Sequence, residues 1–169
     1  MPASRARLPA DARPGLSLPR LRPPLRALRR DHPVFRQRRF FEGRPIVPDG
    51  RKDLAWFAPS GEEMTADHWH DESLRTVGMF FAGDGIRTRG PRGERTTDDS
   101  FLLWLHAGPD DLEVKLPGEP WAYGYVVVLS TADGAHGDGY DARSSVILPG
   151  RSCLLLRAVP ATGSAPPRS

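Results

Sequence analysis

From Lys52 onward the sequence is a series of short apolar runs, each bounded by Gly, Pro, Ser-Gly or Asp-rich turn signals. That punctuation leaves no room for long helices and points to strands joined by tight connections. Strands are expected near 54–57, 76–81, 100–106, 111–116, 125–129, 144–148 and 152–159. The intervening signals are Ser60-Gly61, Gly83-Asp84-Gly85, Pro91-Arg92-Gly93, Gly108-Pro109-Asp110-Asp111, Pro117-Gly118 and Pro149-Gly150. Leu112, Val114 and Leu116 alternate with Glu113 and Lys115, the pattern of a half-buried antiparallel strand. Val126 to Leu129 and Leu154 to Leu156 are unbroken apolar runs, suited to strands covered on both faces. Pro149-Gly150 between two β runs reads as a hairpin turn. One short helix is expected at Thr65–His70. About seven short strands imply an all-β fold, an antiparallel β-sandwich. Its core is expected to include Leu102, Leu105, Val114, Leu116, Val126, Val128, Val146, Leu148 and Leu154.

The N-terminal third is different. Residues 1–24 hold six prolines and no sustained period, so a disordered, basic Arg/Pro-rich head is expected there. Leu25 to His32 fits the last two turns of an amphipathic helix stopped by Pro33, with Pro23 and Pro24 where its preceding turn should be. Residues 160–169 read as a frayed tail. The boundaries expected are therefore 1–24, 25–51, 52–159 and 160–169.

Charge is split along the chain. Residues 1–51 carry 13 Arg against four acids, and the remainder carries 11 basic against 17 acidic groups. A basic head can signal nucleic acid. Here Arg outnumbers Lys 22 to 2 overall, and few aromatics interleave with it for base stacking, so no nucleic-acid partner is expected. No apolar run has the length of a membrane span, and no membrane partner is expected. Cys153 is alone, which excludes a disulfide framework and a thiolate zinc site and reads as a reduced, cytoplasmic protein.

Few residues carry chemistry. His68-Trp69-His70-Asp71-Glu72 resembles a metal cluster in composition, but no third ligand is placed, and it reads as a polar loop around a packed Trp69. Asp98-Asp99 and Asp110-Asp111 point to opposite faces of an extended chain and are expected to bond turns. Gly83-Asp84-Gly85 lacks the strand–helix context of a phosphate loop. No metal site and no cofactor are expected. Of four tryptophans, Trp56 and Trp104 fall inside apolar strands and are expected in the core. Trp69 and Trp121 lie beside polar or turn sequence and are the candidates for stacking on carbohydrate.

Several blocks, in order, resemble bacterial glycogen debranching enzymes of the isoamylase type, in the α-amylase superfamily. They are Leu25 to Pro45 with its Arg-Arg-Phe-Phe, Lys52-Asp-Leu-Ala-Trp-Phe-Ala-Pro-Ser-Gly-Glu-Glu-Met64, and Asp67-His-Trp69. Gly83-Asp84, Asp98 to Leu103, and Leu148-Pro-Gly-Arg-Ser152 complete the set. The resemblance spans roughly Leu25 to Val159 and implies the C-terminal β-domain alone. It implies a parent activity of hydrolysing α-1,6-glucosidic branch links in glycogen. It makes residues 25–51 a remnant of the last helix of a catalytic (β/α)₈ barrel plus linker. Hydrolysis needs two carboxylates across the glycosidic bond, borne on barrel strands. Those motifs have no counterpart, so no catalytic residue carries over and the chain alone is expected to be inactive. The chain departs from the family before Leu25, and at His106, where an Asn is expected. Expected partners are an α-glucan such as glycogen or a separately encoded catalytic barrel; the alternative is a stand-alone glycan-binding β-sandwich module. With no barrel to cover it, the apolar surface of Leu25–His32, Val34, Phe35, Phe40, Phe41 and Ile46 is expected to be exposed.

Overall fold

A computed structural model describes residues 18–37, 41–46, 51–132 and 137–160, with the backbone alone over 18–23. Residues 1–17 of the head, Phe40, and 161–169 of the tail lie outside the described residues. Eight strands form: β1 Leu54–Phe57, β2 Thr76–Phe81, β3 Phe101–His106, β4 Leu112–Lys115, β5 Gly124–Ser130, β6 Gly139–Asp141, β7 Ser145–Leu148 and β8 Ser152–Val159. Six make one antiparallel sheet in the order β1-β2-β3-β8-β5-β6, and β4 pairs with β7 as a second sheet.

The two sheets share one core. Phe57, Phe80, Leu102, Trp104, Leu154 and Leu156 from the large sheet meet Val114, Leu116, Val146 and Leu148 from the small one or its margin, all buried. The alternation of side chains along a strand produces this directly. In β2, Thr76, Gly78 and Phe80 face inward while Val77, Met79 and Phe81 face out. Gly78 lets the Trp104 ring pack close, since a Cβ there would stand 3.0 Å from it. Trp56, Leu105, Val126 and Val128, expected in the core, are only half-buried, on the outward face of their strands. The runs Val126 to Leu129 and Leu154 to Leu156 are covered on both faces as expected, with Val127, Leu154 and Leu156 in the central core and Leu129 and Leu155 in the outer cluster.

Pro149-Gly150 is not a hairpin turn. The strands it joins belong to different sheets, β7 pairing with β4 and β8 with β3 and β5. The turn packs on the β3–β4 connection: Arg151 N donates to Gly108 O at 2.8 Å and Gly150 N to Asp111 Oδ1 at 3.2 Å. A Cβ on Gly150 would fall 1.9 Å from Pro109 O, so only Gly allows the approach.

The helix α1 runs over Leu18–Asp31, which corrects the expected disorder for residues 18–24 and the expected helix start at Leu25. Prolines 23 and 24 are held within it, where they remove two amide donors without ending it. After His32 the chain makes a 3-10 turn, Pro33–Arg36. This segment lies on the outer face of the large sheet. Val34 is 1% exposed and packs with Ile86, Phe101, Leu129 and Leu155, joined by Leu28, Phe35 and Phe41. Rings of Phe35 and Phe101 lie 4.8 Å apart, and those of Phe41 and Phe81 5.6 Å apart.

The expectation that this apolar surface is uncovered is therefore overturned for Leu28, Val34, Phe35, Phe41 and Ile46. The outer face of the chain's own sheet, not a barrel, covers the first four, and Ile46 packs against the central core. Two carboxylates pin the segment. Asp98 accepts from His32 Nδ1 at 2.8 Å and from Val34 N at 3.0 Å. Asp53, 1% exposed, accepts from Glu42 N and Gly43 N at 3.0 and 2.8 Å. Leu25 remains 44% exposed.

Candidate functional site

Trp69 and Trp121 are not brought together. β1 carries Trp56 and Phe57 on opposite faces, and each candidate tryptophan packs on one of them. Trp69 sits on α2, Ala66–His70, which begins with a capping box: His68 N donates to Thr65 Oγ1, and Thr65 N to His68 Nδ1. The helix holds the Trp69 ring edge-on to Trp56, centroids 5.5 Å apart, and leaves Trp69 55% exposed. His68 is used in the cap, and His70 Nδ1 lies 2.7 Å from Ala66 O. Both histidines bond within their own short helix.

Trp121 lies inside. It is 8% exposed and meets Phe57 and Phe80 in edge-to-face contacts, with centroids 5.2 Å away in each case. Its remaining surface forms part of the floor of a cleft of about 400 Å³. Four chain segments build the walls: Ser60 to Glu63 after β1, Lys115 and Leu116 ending β4, Gly118 and Glu119, and Arg143. Backbone bonds fix these walls to one another. Lys115 N donates to Pro59 O at 2.8 Å, Arg143 N to Leu116 O at 3.1 Å and Leu116 N to Ser144 O at 2.9 Å. From below, the Tyr125 hydroxyl donates to Pro117 O at 3.0 Å. Burial pushes the Tyr125 hydroxyl pKa upward.

The rim carries both signs of charge. Glu63 pairs with Lys52. Glu119 bonds the Tyr123 hydroxyl and, by that bond and its charge, raises the tyrosine's pKa. Arg143 adopts a φ of 65°, a left-handed conformation that costs a side chain roughly 1–2 kcal/mol relative to glycine. Its side chain lies over Gly118, where a Cβ would stand 2.5 Å from Arg143 Nε. Sequence reasoning singled out Trp121 but missed Gly61, Lys115, Gly118 and Arg143, which no local spacing connects.

Elsewhere, His32, Asp98 and Asp99 offer ligand atoms within 4.8 Å of one another. Their contacts are already used: Asp98 holds His32 and the Val34 amide, and Asp99 pairs with Arg157 at 3.4 Å. His106, which replaces the expected Asn, is 7% exposed and fastens the β3–β4 turn. Its Nδ1 lies 2.6 Å from Thr76 Oγ1 and its Nε2 2.7 Å from Asp110 O. No helix among the described residues is long and apolar enough to cross a membrane.

The fold thus defines a mostly antiparallel β-domain with a polar cleft at one end of the space between its sheets. No family model matches the chain. Its sequence is 42% identical over 134 residues to the Glycogen operon protein GlgX homolog of Mycobacterium tuberculosis, and equally to that of Mycobacterium bovis. The alignment takes in 77% of this chain and 18% of those proteins, so the chain spans under a fifth of the length of the curated relatives it matches. The chain is a relative of one segment of the GlgX-type glycogen operon proteins, and the resemblance read from the sequence blocks is borne out.

Proposed function

We propose that this chain serves as the C-terminal-type β-domain of a glycogen-debranching system and does not cleave glycosidic bonds by itself. The 42% identity to a segment of GlgX homologs carries the family part of that reading. The inactivity rests on chemistry. Hydrolysis needs an acid and a nucleophile or base about 5–9.5 Å apart across one glycosidic oxygen. Among the described residues, the acids of the cleft rim include a Glu63 tied to Lys52 and a Glu119 tied to Tyr123, and neither carboxyl is shielded in an apolar pocket that would keep it protonated. A separately encoded catalytic barrel is the partner that this reading calls for.

A second reading, a glycan-binding module working on its own, is favoured by one observation: the surface of Val34, Phe35 and Phe41 is covered within the chain. A domain that covers its own apolar face has less need of a barrel. Incubating the purified chain with a branched α-glucan tests the first reading. No linear α-glucan should be released; release that follows the protein through successive columns would refute the proposed inactivity.

A further inference from the structure

We propose that the cleft over Trp121 is a binding subsite for a neutral α-glucan chain. The proposal rests on the reading above for the identity of the sugar, but the kind of ligand follows from the cleft itself. Among the described residues, Lys115, Arg143 and Glu62 line the cleft, and their side chains have no hydrogen-bond or ion-pair partner. Two donors and one acceptor thus stand around a cleft whose base includes the small exposed part of Trp121. Glu62, Glu63 and Glu119 share the lining with Lys115, which packs beside Gly61, and with Arg143, which lies over Gly118, so an anion and a cation would each meet like charge. A neutral polyhydroxyl compound needs both donors and acceptors at once and meets no like charge. A volume of about 400 Å³ gives room for a sugar unit with its neighbouring hydroxyls.

The backbone supports a role for Arg143 in particular. With φ at 65°, its position suits glycine better than arginine. The guanidinium, lying over Gly118, projects the residue's donors to the cleft mouth. A strained residue whose charged end has no partner in the fold is a binding group rather than a packing group. Gly61 makes room on the opposite wall. Its φ is 80°, and a Cβ there would come within 2.7 Å of Lys115 O. The cleft therefore keeps its walls close through Gly61 and Gly118 and aims unpaired polar ends between them.

The test is titration of the isotope-labelled full chain with maltoheptaose, followed by amide and indole NMR shifts, with inorganic phosphate as a second probe. Shifts are expected to gather at Gly61, Glu62, Lys115, Gly118 and the Trp121 indole. Arg143→Gly should keep or raise the melting temperature, because it relieves the left-handed strain, yet weaken maltoheptaose binding about tenfold. Glu62→Ala, at an exposed and unpartnered side chain, should weaken binding without altering the fold. The proposal is overturned by an absence of shifts, by shifts confined to Trp69 and its surroundings, by unchanged affinity in Arg143→Gly, or by phosphate acting at the same amides as strongly as the sugar. Any of these in a chain inactive on branched glucan removes the cleft and leaves the family reading standing. Hydrolytic activity would remove the proposed inactivity and leave the cleft.

Discussion

Tyr125→Phe should reverse the sign of its effect on stability between neutral and alkaline pH. The hydroxyl of Tyr125 is buried, with the residue 1% exposed, and donates to Pro117 O at 3.0 Å. At pH 7 its removal costs about 1 kcal/mol for the lost bond and the stranded carbonyl. Burial raises the folded-state pKa well above the ordinary value of 10.0. Above pH 10 the unfolded chain releases this proton while the folded chain keeps it, so stability falls as pH rises. The loss is about 1.4 kcal/mol for each pH unit until the folded pKa is reached. By pH 11.5 the wild-type chain has lost about 2 kcal/mol through this one group, a loss that the Phe variant does not suffer. The variant should be about 1 kcal/mol less stable than wild type at pH 7 and about 1 kcal/mol more stable at pH 11.5. Urea unfolding of both proteins across that range reads the difference directly, since the other titrating groups are common to both. Parallel stability curves with no crossing would refute the reasoning.

Asp98→Ala should free the N-terminal segment while sparing the sheets. It strands the Val34 amide and removes the His32 contact, about 2–4 kcal/mol after discounting the partly exposed histidine. Trypsin cleavage at Arg29, Arg30 or Arg36 should quicken roughly 30- to 1000-fold, and an unchanged rate would show that Asp98 does not hold the segment. The two tryptophans should part company. Trp69→Ala is expected to lower the melting temperature by about 2–4 °C, for the loss of one exposed aromatic contact worth about 1 kcal/mol. Trp121→Ala, which empties part of the core, is expected to lower it by roughly 6–20 °C. Equal shifts would contradict their placement on opposite faces of the sheet.

Strands with strong period or strong apolar content were legible from the sequence. The expected 54–57, 76–81 and 152–159 match β1, β2 and β8, and β3, β4, β5 and β7 differ by a residue at one or both ends. β6 escaped because Gly139-Tyr140-Asp141 offers three residues and a single large side chain, too little for any pattern. The small helix expected at Thr65–His70 matches α2, which starts one residue later because Thr65 is its cap. The Pro149-Gly150 turn was misread for a tertiary reason. A tight turn between β runs looks the same whether the strands pair or part, and here contact with Gly108, Pro109 and Asp111 draws them into separate sheets.

The reach of α1 back to Leu18 was hidden by its prolines, whose local penalty outweighed the faint amphipathic signal. The outer cover of the large sheet was hidden because it depends on long-range partners, Asp98 for His32 and Val34, and Asp53 for Glu42 and Gly43. The cleft was legible only through Trp121. Its other members come from separate loops that only the fold brings together.

Above all, the chain covers its own large sheet with its own N-terminal segment. Hydrogen exchange on the full chain, shown to be monomeric by sedimentation, measures it. The amides of Val34, Glu42 and Gly43, each bonded to a buried or nearly buried carboxylate, should exchange at least ~100-fold more slowly than unstructured peptide. Exchange of these three amides at the unstructured rate, in a monomer whose β3 and β8 amides remain protected, would contradict the account.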